Sequence, residues 1–354
     1  MTTNALPPAA NADYLTAALR KSGVLGDGSV REVDVENPHD TILSRIARLK
    51  LTYEGVASGA PPSLFLKTAR SDRLDPSWIA GRQEVAFYTQ VARHMPAGLV
   101  PRCFDADWNA ETNEWCLLLE DLTASHVPAT IWPVPPTLDQ CKTIVESLAQ
   151  VHAKWWDHPS LGVSVGTWLD ANALDRSRRT FSEHLARFTD QFGDRIPVER
   201  RELYHRLLDA APRLRSRYLS HRNVTIVHGD AHVWNCLLPR DDEGDGARFF
   251  DWDSWRIDVA SSDLAYMMAM HWYPDRRQRF EGLLLDQYHE VLLAHGVEGY
   301  DRPALEDDYR LSVLWRVMTP VWQWAASIPP VIWWNNLERV FMAVDDLGCR
   351  ELLD

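Results

Sequence analysis

Asp230, Asn235 and Asp251 place an aspartate, an asparagine five residues on and a second aspartate sixteen residues after that. Such a set suits phosphoryl transfer. One carboxylate can orient an attacking hydroxyl, while an amide oxygen and a second carboxylate hold magnesium against phosphate oxygens. The three lie in His228-Gly229-Asp230-Ala231-His232-Val233-Trp234-Asn235 and Phe250-Asp251-Trp252-Asp253. A metal-dependent hydrolase is a rival reading, because His228, Asp230 and His232 alternate as metal ligands on one strand edge could. Such centres need further histidines or carboxylates in paired spacing. After His232 only His271, His289 and His295 remain, none in such a pair. The spacing therefore assigns catalysis to Asp230, the metal to Asn235 and Asp251, and a packed supporting role to His228. His232 reads equally as a phosphate contact or as a hydrogen bond within the loop. Asp253, two residues from Asp251, points the same way along a strand; it either assists the metal or satisfies backbone amides.

These side chains need elements to hold them. Val224-Thr225-Ile226-Val227 is β-branched and apolar, a short buried strand that delivers His228 and Asp230 to a loop. Leu237-Leu238 and Arg248-Phe249-Phe250 read as a second and third strand, with the Gly- and Asp-rich stretch from Arg240 to Gly246 turning the chain between them. Upstream, Ile42 to Tyr53 alternates as a half-exposed hairpin would. Ser63 to Lys67 and Trp115 to Leu119 are compact apolar strands, and Trp78 to Ala92 carries helical spacing. Beyond the proline-rich stretch Pro128 to Pro136 the pattern turns helical. Cys141, Ile144, Val145, Leu148, Val151, His152 and Trp155 form one apolar face, and further helices are expected over 176–192, 199–219, 263–270, 277–295 and 309–324. The layout predicts an α+β protein of two lobes: residues 1–121, β-rich, with 1–12 a disordered tail, and residues 122–354, mainly helical.

Composition bounds the function. The chain has 354 residues, 45% hydrophobic and 25% charged, with sixteen tryptophans and a net charge of −13. That charge excludes a protein built to coat nucleic acid or an anionic membrane, but not one that binds a polyanionic cofactor through local cations and metal. Five scattered cysteines without CxxC spacing read as reduced thiols of a cytoplasmic protein. No run approaches the apolar length of a membrane span, and the first twelve residues lack the features of a signal peptide. Nothing in the sequence fixes an oligomeric state.

The chain resembles the aminoglycoside phosphotransferase/choline kinase-like family, the small-molecule branch of the protein-kinase-like fold. The resemblance rests on the HGDxxxxN of His228 to Asn235 and the following Phe250 to Asp253. It extends to Phe65-Leu66-Lys67, to Leu118-Leu119-Glu120-Asp121-Leu122, to Leu148 to Ala153 and to Asp263-Leu264-Ala265. It implies that Lys67 reaches the α/β-phosphates of ATP (GTP being the alternative) and that Glu84 fixes its ammonium. It implies that the adenine meets backbone groups at Glu120, Asp121 and Leu122, and that Mg2+ bridges the phosphates. A loop around Glu36 to Thr41 is expected over the triphosphate, and it contains no glycine.

The acceptor implied is a small-molecule hydroxyl. An antibiotic of aminoglycoside or nucleoside type, or a hydroxylated metabolite, comes first, with choline, an amino alcohol or a sugar as the alternative. A catalytically silent nucleotide-binding protein is the remaining rival. Aromatic density nominates Trp315, Trp322, Trp324, Trp333, Trp334 and Asn335 as pocket residues. A polyamine acceptor would call on acids such as Glu306-Asp307-Asp308 or Asp345-Asp346.

Overall fold

The computed structural model describes residues 8–74, 79–240 and 246–354. Their contacts divide them into two units. One comprises the residues up to Pro128 together with Leu237–Trp255, and the other Ala129–Cys236 with Arg256–Asp354. The division expected after residue 121 thus falls seven residues later, because the strand at His126–Pro128 pairs with Leu237–Pro239. The segment carrying Asp251 belongs with the first unit.

The first unit is built on a five-stranded antiparallel sheet. Its strands are β1 (Ser29–Asp40), β2 (Ser44–Glu54), β3 (Ser63–Ala69), β4 (Cys103–Trp108) and β5 (Trp115–Glu120), in the order β1-β2-β3-β5-β4. Alternation along β3 buries Leu64 and Leu66 against α1 (Ala12–Lys21), where they join Leu15, Leu19, Leu49 and Leu118. Lys67 therefore stands on the opposite face, where α2 (Ala80–Gln90) lies. α1 begins on the cap that Asn11 supplies, its side-chain oxygen accepting from the Tyr14 N–H at 2.7 Å. A small sheet completes the unit: β6 (His126–Pro128), β8 (Cys236–Pro239) and β9 (Arg248–Phe249), in the order β6-β8-β9.

Several expectations change here. Residues 1–7 of the predicted tail and Trp78 lie outside the described residues. Pro8–Ala10 is a short 3-10 turn and Ala12 already opens α1. Ile42 to Tyr53 is not a hairpin by itself. Ser44 onward is one strand with β1 on one side and β3 on the other, so a strand shared between two neighbours had read as two. Glu36 to Asp40 is not a loop but the end of β1, with a bulge between Glu36 and His39 and Asn37 at φ 51°.

In the second unit β7 (Thr225–Val227) pairs antiparallel with β10 (Arg256–Asp258) rather than joining β8 and β9. The turn expected over 240–246 falls mostly outside the described residues; β8 and β9 are neighbours, as that turn required. α3 (Leu138–Trp155) opens with a reciprocal capping box between Thr137 and Gln140 and buries the apolar face expected of it. α8 (Pro274–Ala294) packs along it. α4 (Ala171–Phe192), α5 (Val198–Leu214), α6 (Ser216–Leu219), α9 (Arg302–Arg316), α10 (Thr319–Ala325) and α11 (Pro330–Asp346) complete the layer. Between β10 and α8, α7 (Ser261–Leu264) runs into a π-helical turn at Ala265–Ala269. No helix among the described residues is long and apolar enough to cross a membrane.

Candidate active site

Lys67, on the third strand, is the centre of the first unit's polar face. Its ammonium lies 2.6 Å from Glu84 Oε2 and 2.5 Å from Asp251 Oδ1. Burial opposes the charge on Lys67, but the Asp251 and Glu84 carboxylates outweigh it and raise its pKa. Burial also pushes the Glu84 carboxyl up, because Lys67 is shared with Asp251 and offsets only part of the desolvation. Asp253 adds to the negative field that Lys67 feels.

Packing explains why α2 delivers Glu84 there. A Cβ at Gly81 would stand 1.9 Å from the Trp115 indole nitrogen, so glycine lets the helix close on β5. Phe87 stacks on Trp252 with ring centroids 4.0 Å apart and planes 5° from parallel. Gln83 and Trp255 exchange two hydrogen bonds of 2.7 Å, each side chain donating to the other's carbonyl. Thus Trp252 and Trp255 pin the Asp251–Asp253 segment to α2. Asp251 takes φ 66°, left-handed backbone that costs a non-glycine residue about 1 kcal/mol or more. The strand-alternation argument for Asp253 therefore fails, since β9 ends at Phe249, although Asp253 still lies near Lys67.

Just past the end of β5, Asp121 is a staple. One oxygen accepts from Arg48 Nε at 2.6 Å and from the Ser63 hydroxyl at 2.5 Å; the other accepts from the Thr123 N–H and hydroxyl. The Leu122 carbonyl accepts from the Ser125 and His126 N–H groups, and Glu120 Oε2 accepts from the Arg102 N–H.

In the second unit, Asp263 holds the loop that carries Asp230. Its carboxylate accepts the His228 N–H at 2.7 Å and the Gly229 N–H at 2.9 Å, and His152 Nε2 lies 3.2 Å away. Burial works against the charge of Asp263, but the bond from His152 and the loop amides win and lower its pKa to about 2. With Asp263 ionised, His152 donates from Nε2, and its Nδ1 lies 2.6 Å from the Tyr288 hydroxyl. Gly229, at φ 85°, turns the chain. His228 is fully buried, and its Nδ1 accepts the Asp230 N–H. The Asn235 amide nitrogen donates to the Asp230 carbonyl at 3.0 Å and to Oδ2 at 3.1 Å, which turns its own Oδ1 to other partners. His232 Nε2 is 3.4 Å from Asp230 Oδ2.

The sequence reading gave Asp263 and His152 no chemical role. The signal was present, since a buried apolar helix face containing a histidine asks what that histidine bonds. The donors fit magnesium in kind: the Asn235 amide oxygen and the carboxylates of Asp251 and Asp253 are hard oxygens. Among the described residues no three His, Cys, Asp or Glu side chains form a ready cage for an ion.

A cavity of about 950 Å3 in the second unit is lined by Trp234 of the Asp230 loop and by residues of α8 and α11. His271, beside His232 and Trp234 with ring centroids 5.5 Å from each, also lines it. Burial and the neighbouring His232 push His271 down to about 3, so it is neutral. Of the residues nominated by aromatic density, Asn335 lines this cavity, and Trp315 and Trp322 line another, of about 420 Å3. Trp324 and Trp333 pack on Phe188 and Phe192, as core aromatics do, and Trp334 packs on Trp333.

The ecdysteroid kinase-like family matches residues 38–297. No curated protein matches the sequence. Among solved structures, a Ralstonia eutropha protein assigned as an aminoglycoside phosphotransferase aligns over 97% of this chain and 98% of its own, at 12% identity and a TM-score of 0.58. A choline/ethanolamine kinase family protein from Mesorhizobium loti covers 96% and 97% at 13% identity, TM-score 0.54. The amicoumacin kinase covers 93% and 92% at 13% identity, TM-score 0.54. The chain belongs to the ecdysteroid kinase-like family and has the protein-kinase-like fold of small-molecule kinases.

Proposed function

We propose that the protein is an ATP- and magnesium-dependent phosphotransferase that acts on a hydroxyl group of a small molecule. The observation that carries this is the Lys67 ammonium set between Glu84 and Asp251, the lysine–glutamate pair that positions nucleotide phosphates in kinases. The amicoumacin kinase was solved with AMP-PNP and Ca2+, in keeping with a nucleotide at such a site. GTP would serve the same chemistry.

Lys67 binds the α/β-phosphates, and the backbone of Glu120 to Leu122 takes the adenine. Asp230, aimed by Asn235 and by its amide bond to His228, accepts a hydrogen bond from the acceptor hydroxyl. The hydroxyl oxygen forms a bond to the γ-phosphorus, the bond to the β,γ-bridging oxygen breaks, and ADP leaves. The hydroxyl proton passes to Asp230. Magnesium, held by Asn235 and Asp251, would supply charge neutralisation on the phosphates. Antibiotic, amino-alcohol and sugar acceptors all fit this chemistry.

ATP and GTP consumption against a panel of hydroxylated acceptors tests the reading. Asp230→Asn should lower acceptor-dependent turnover by about 10^2–10^4-fold while nucleotide still binds. Unchanged turnover in that variant would overturn the mechanism.

A further inference from the structure

The cavity beside the Asp230 loop has a chemistry of its own. Arg276, Arg279 and Arg339 line it against a single acid, the exposed Asp275. Among the described residues none of the three arginines has a carboxylate within ion-pairing distance. Each guanidinium instead lies over an aromatic ring: Arg276 over Trp272 at 4.6 Å, Arg279 over Phe280 at 5.1 Å and Arg339 over Tyr273 at 4.4 Å. Stacking holds the plane of a guanidinium while leaving its edge donors to other partners.

The polar atoms left over are of one kind. Arg276 Nε, Arg339 Nε, Trp234 Nε1 and Trp272 Nε1 are buried and lack a hydrogen-bond partner, and all four residues line the cavity. Every one of these groups is a donor in every protonation state. Buried donors without acceptors are costly, and a ligand with acceptor oxygens would relieve those it reaches.

None of the acids proposed for a cationic acceptor lines this cavity, and three of them are committed elsewhere. Asp308 accepts from Arg217 and Tyr300, Asp346 from Arg277, and Asp345 from Arg350. We infer that the acceptor carries an oxyanion, a carboxylate or a phosphate or sulfate ester, on a flat apolar body. Arg279 and Arg339 hold the anion, Arg276, whose Nη2 donates to the Pro136 carbonyl, adds positive charge beside it, and Trp132, Trp272 and Tyr273 face the body. Polycationic aminoglycosides and choline are disfavoured by the same charges. The inference rests on the kinase reading for the hydroxyl, but its test does not.

Calorimetry with the full chain compares four probes on one ring: 4-(hydroxymethyl)benzoate, its methyl ester, 4-(hydroxymethyl)phenyl phosphate and 4-(aminomethyl)benzyl alcohol. At least one anionic probe should bind about tenfold or more tighter than the ester, and the amine weakest. The better of the two anions identifies the source. Arg279→Met/Arg339→Met should reduce the preference to about twofold or less. If that variant does not fold, Arg279→Met alone should lower it, and salt should weaken the anion's binding to the wild type but not the ester's. Equal affinities, tighter binding of the amine, or no binding of either anion would overturn the inference. Anion binding without phosphoryl transfer from ATP would overturn the kinase reading and leave the oxyanion site standing. Transfer to the ester and the amine without anion preference would do the reverse.

Discussion

A single buried carboxylate, Asp263, decides the shape of the Asp230 loop. It accepts two loop amides, takes a third bond from His152, and has no exposed surface. Its folded pKa, about 2 against an ordinary 3.8, is depressed, so its contribution to stability is complete above about pH 4 and is lost as pH falls towards 2. The shift corresponds to about 2 kcal/mol. Asp263→Asn should lower stability by roughly 3 kcal/mol at pH 7, since it leaves His152 and an amide poorly paired. Urea midpoints should show the wild type and the variant drawing together between pH 4 and 3. Parallel midpoints across that range would mean that Asp263 carries no such charge. Lys67→Met should weaken nucleotide binding, read by titration, by at least about tenfold, because it removes the phosphate partner and leaves Glu84 buried beside Asp251 without its cation.

At the scale of elements, α2 is placed by its contact with Trp115. Gly81→Ala should cost about 1–3 kcal/mol by thermal or urea unfolding, the usual penalty of overpacking. Because Glu84 follows one turn later, the same change should loosen its bond to Lys67 and weaken nucleotide binding. Trp115→Phe, which removes the indole nitrogen, should restore part of both losses in the double variant, a coupling that independent sites would not show. Chemistry was more legible in the sequence than placement. The spacing and order of motifs pointed to residues that the fold does bring into contact, Lys67 with Glu84 and Asp251, and Asn235 with Asp230, and the α3 face was legible because its period is that of a helix. The pairing of β7 with β10 was not, since three-residue strands carry too little alternation to choose a partner. Nor was β1, whose acid-rich, proline-containing end reads as a loop and is held in the sheet by β2. The cavity wall, Asn335 apart, escaped because its aromatics are scattered along the chain at Trp132, Trp234, Trp272-Tyr273 and Phe280, whereas density also picks out core tryptophans such as Trp324 and Trp333.

For the whole molecule, neither unit is one stretch of chain. The backbone passes between them after Pro128, again after Cys236 and again after Trp255. The first unit thus needs Leu237–Trp255 to cover Phe87 and to engage Gln83. A fragment of residues 1–128 should melt without a cooperative transition, and the same fragment joined through a Gly/Ser linker to 237–255 should regain one, followed by circular dichroism. Identical melting of the two would show that the returning segment adds nothing to the unit.

The stacking of Phe87 on Trp252 also has a clock attached. Trp252 is synthesised 165 residues after its partner. At ribosomal speeds that is a wait of roughly 10–30 s. Through that interval the nascent sheet carries an uncovered aromatic face beside a half-assembled charge cluster. Slowing translation between codons 128 and 237 should therefore lengthen the window in which chaperones or neighbouring chains meet it.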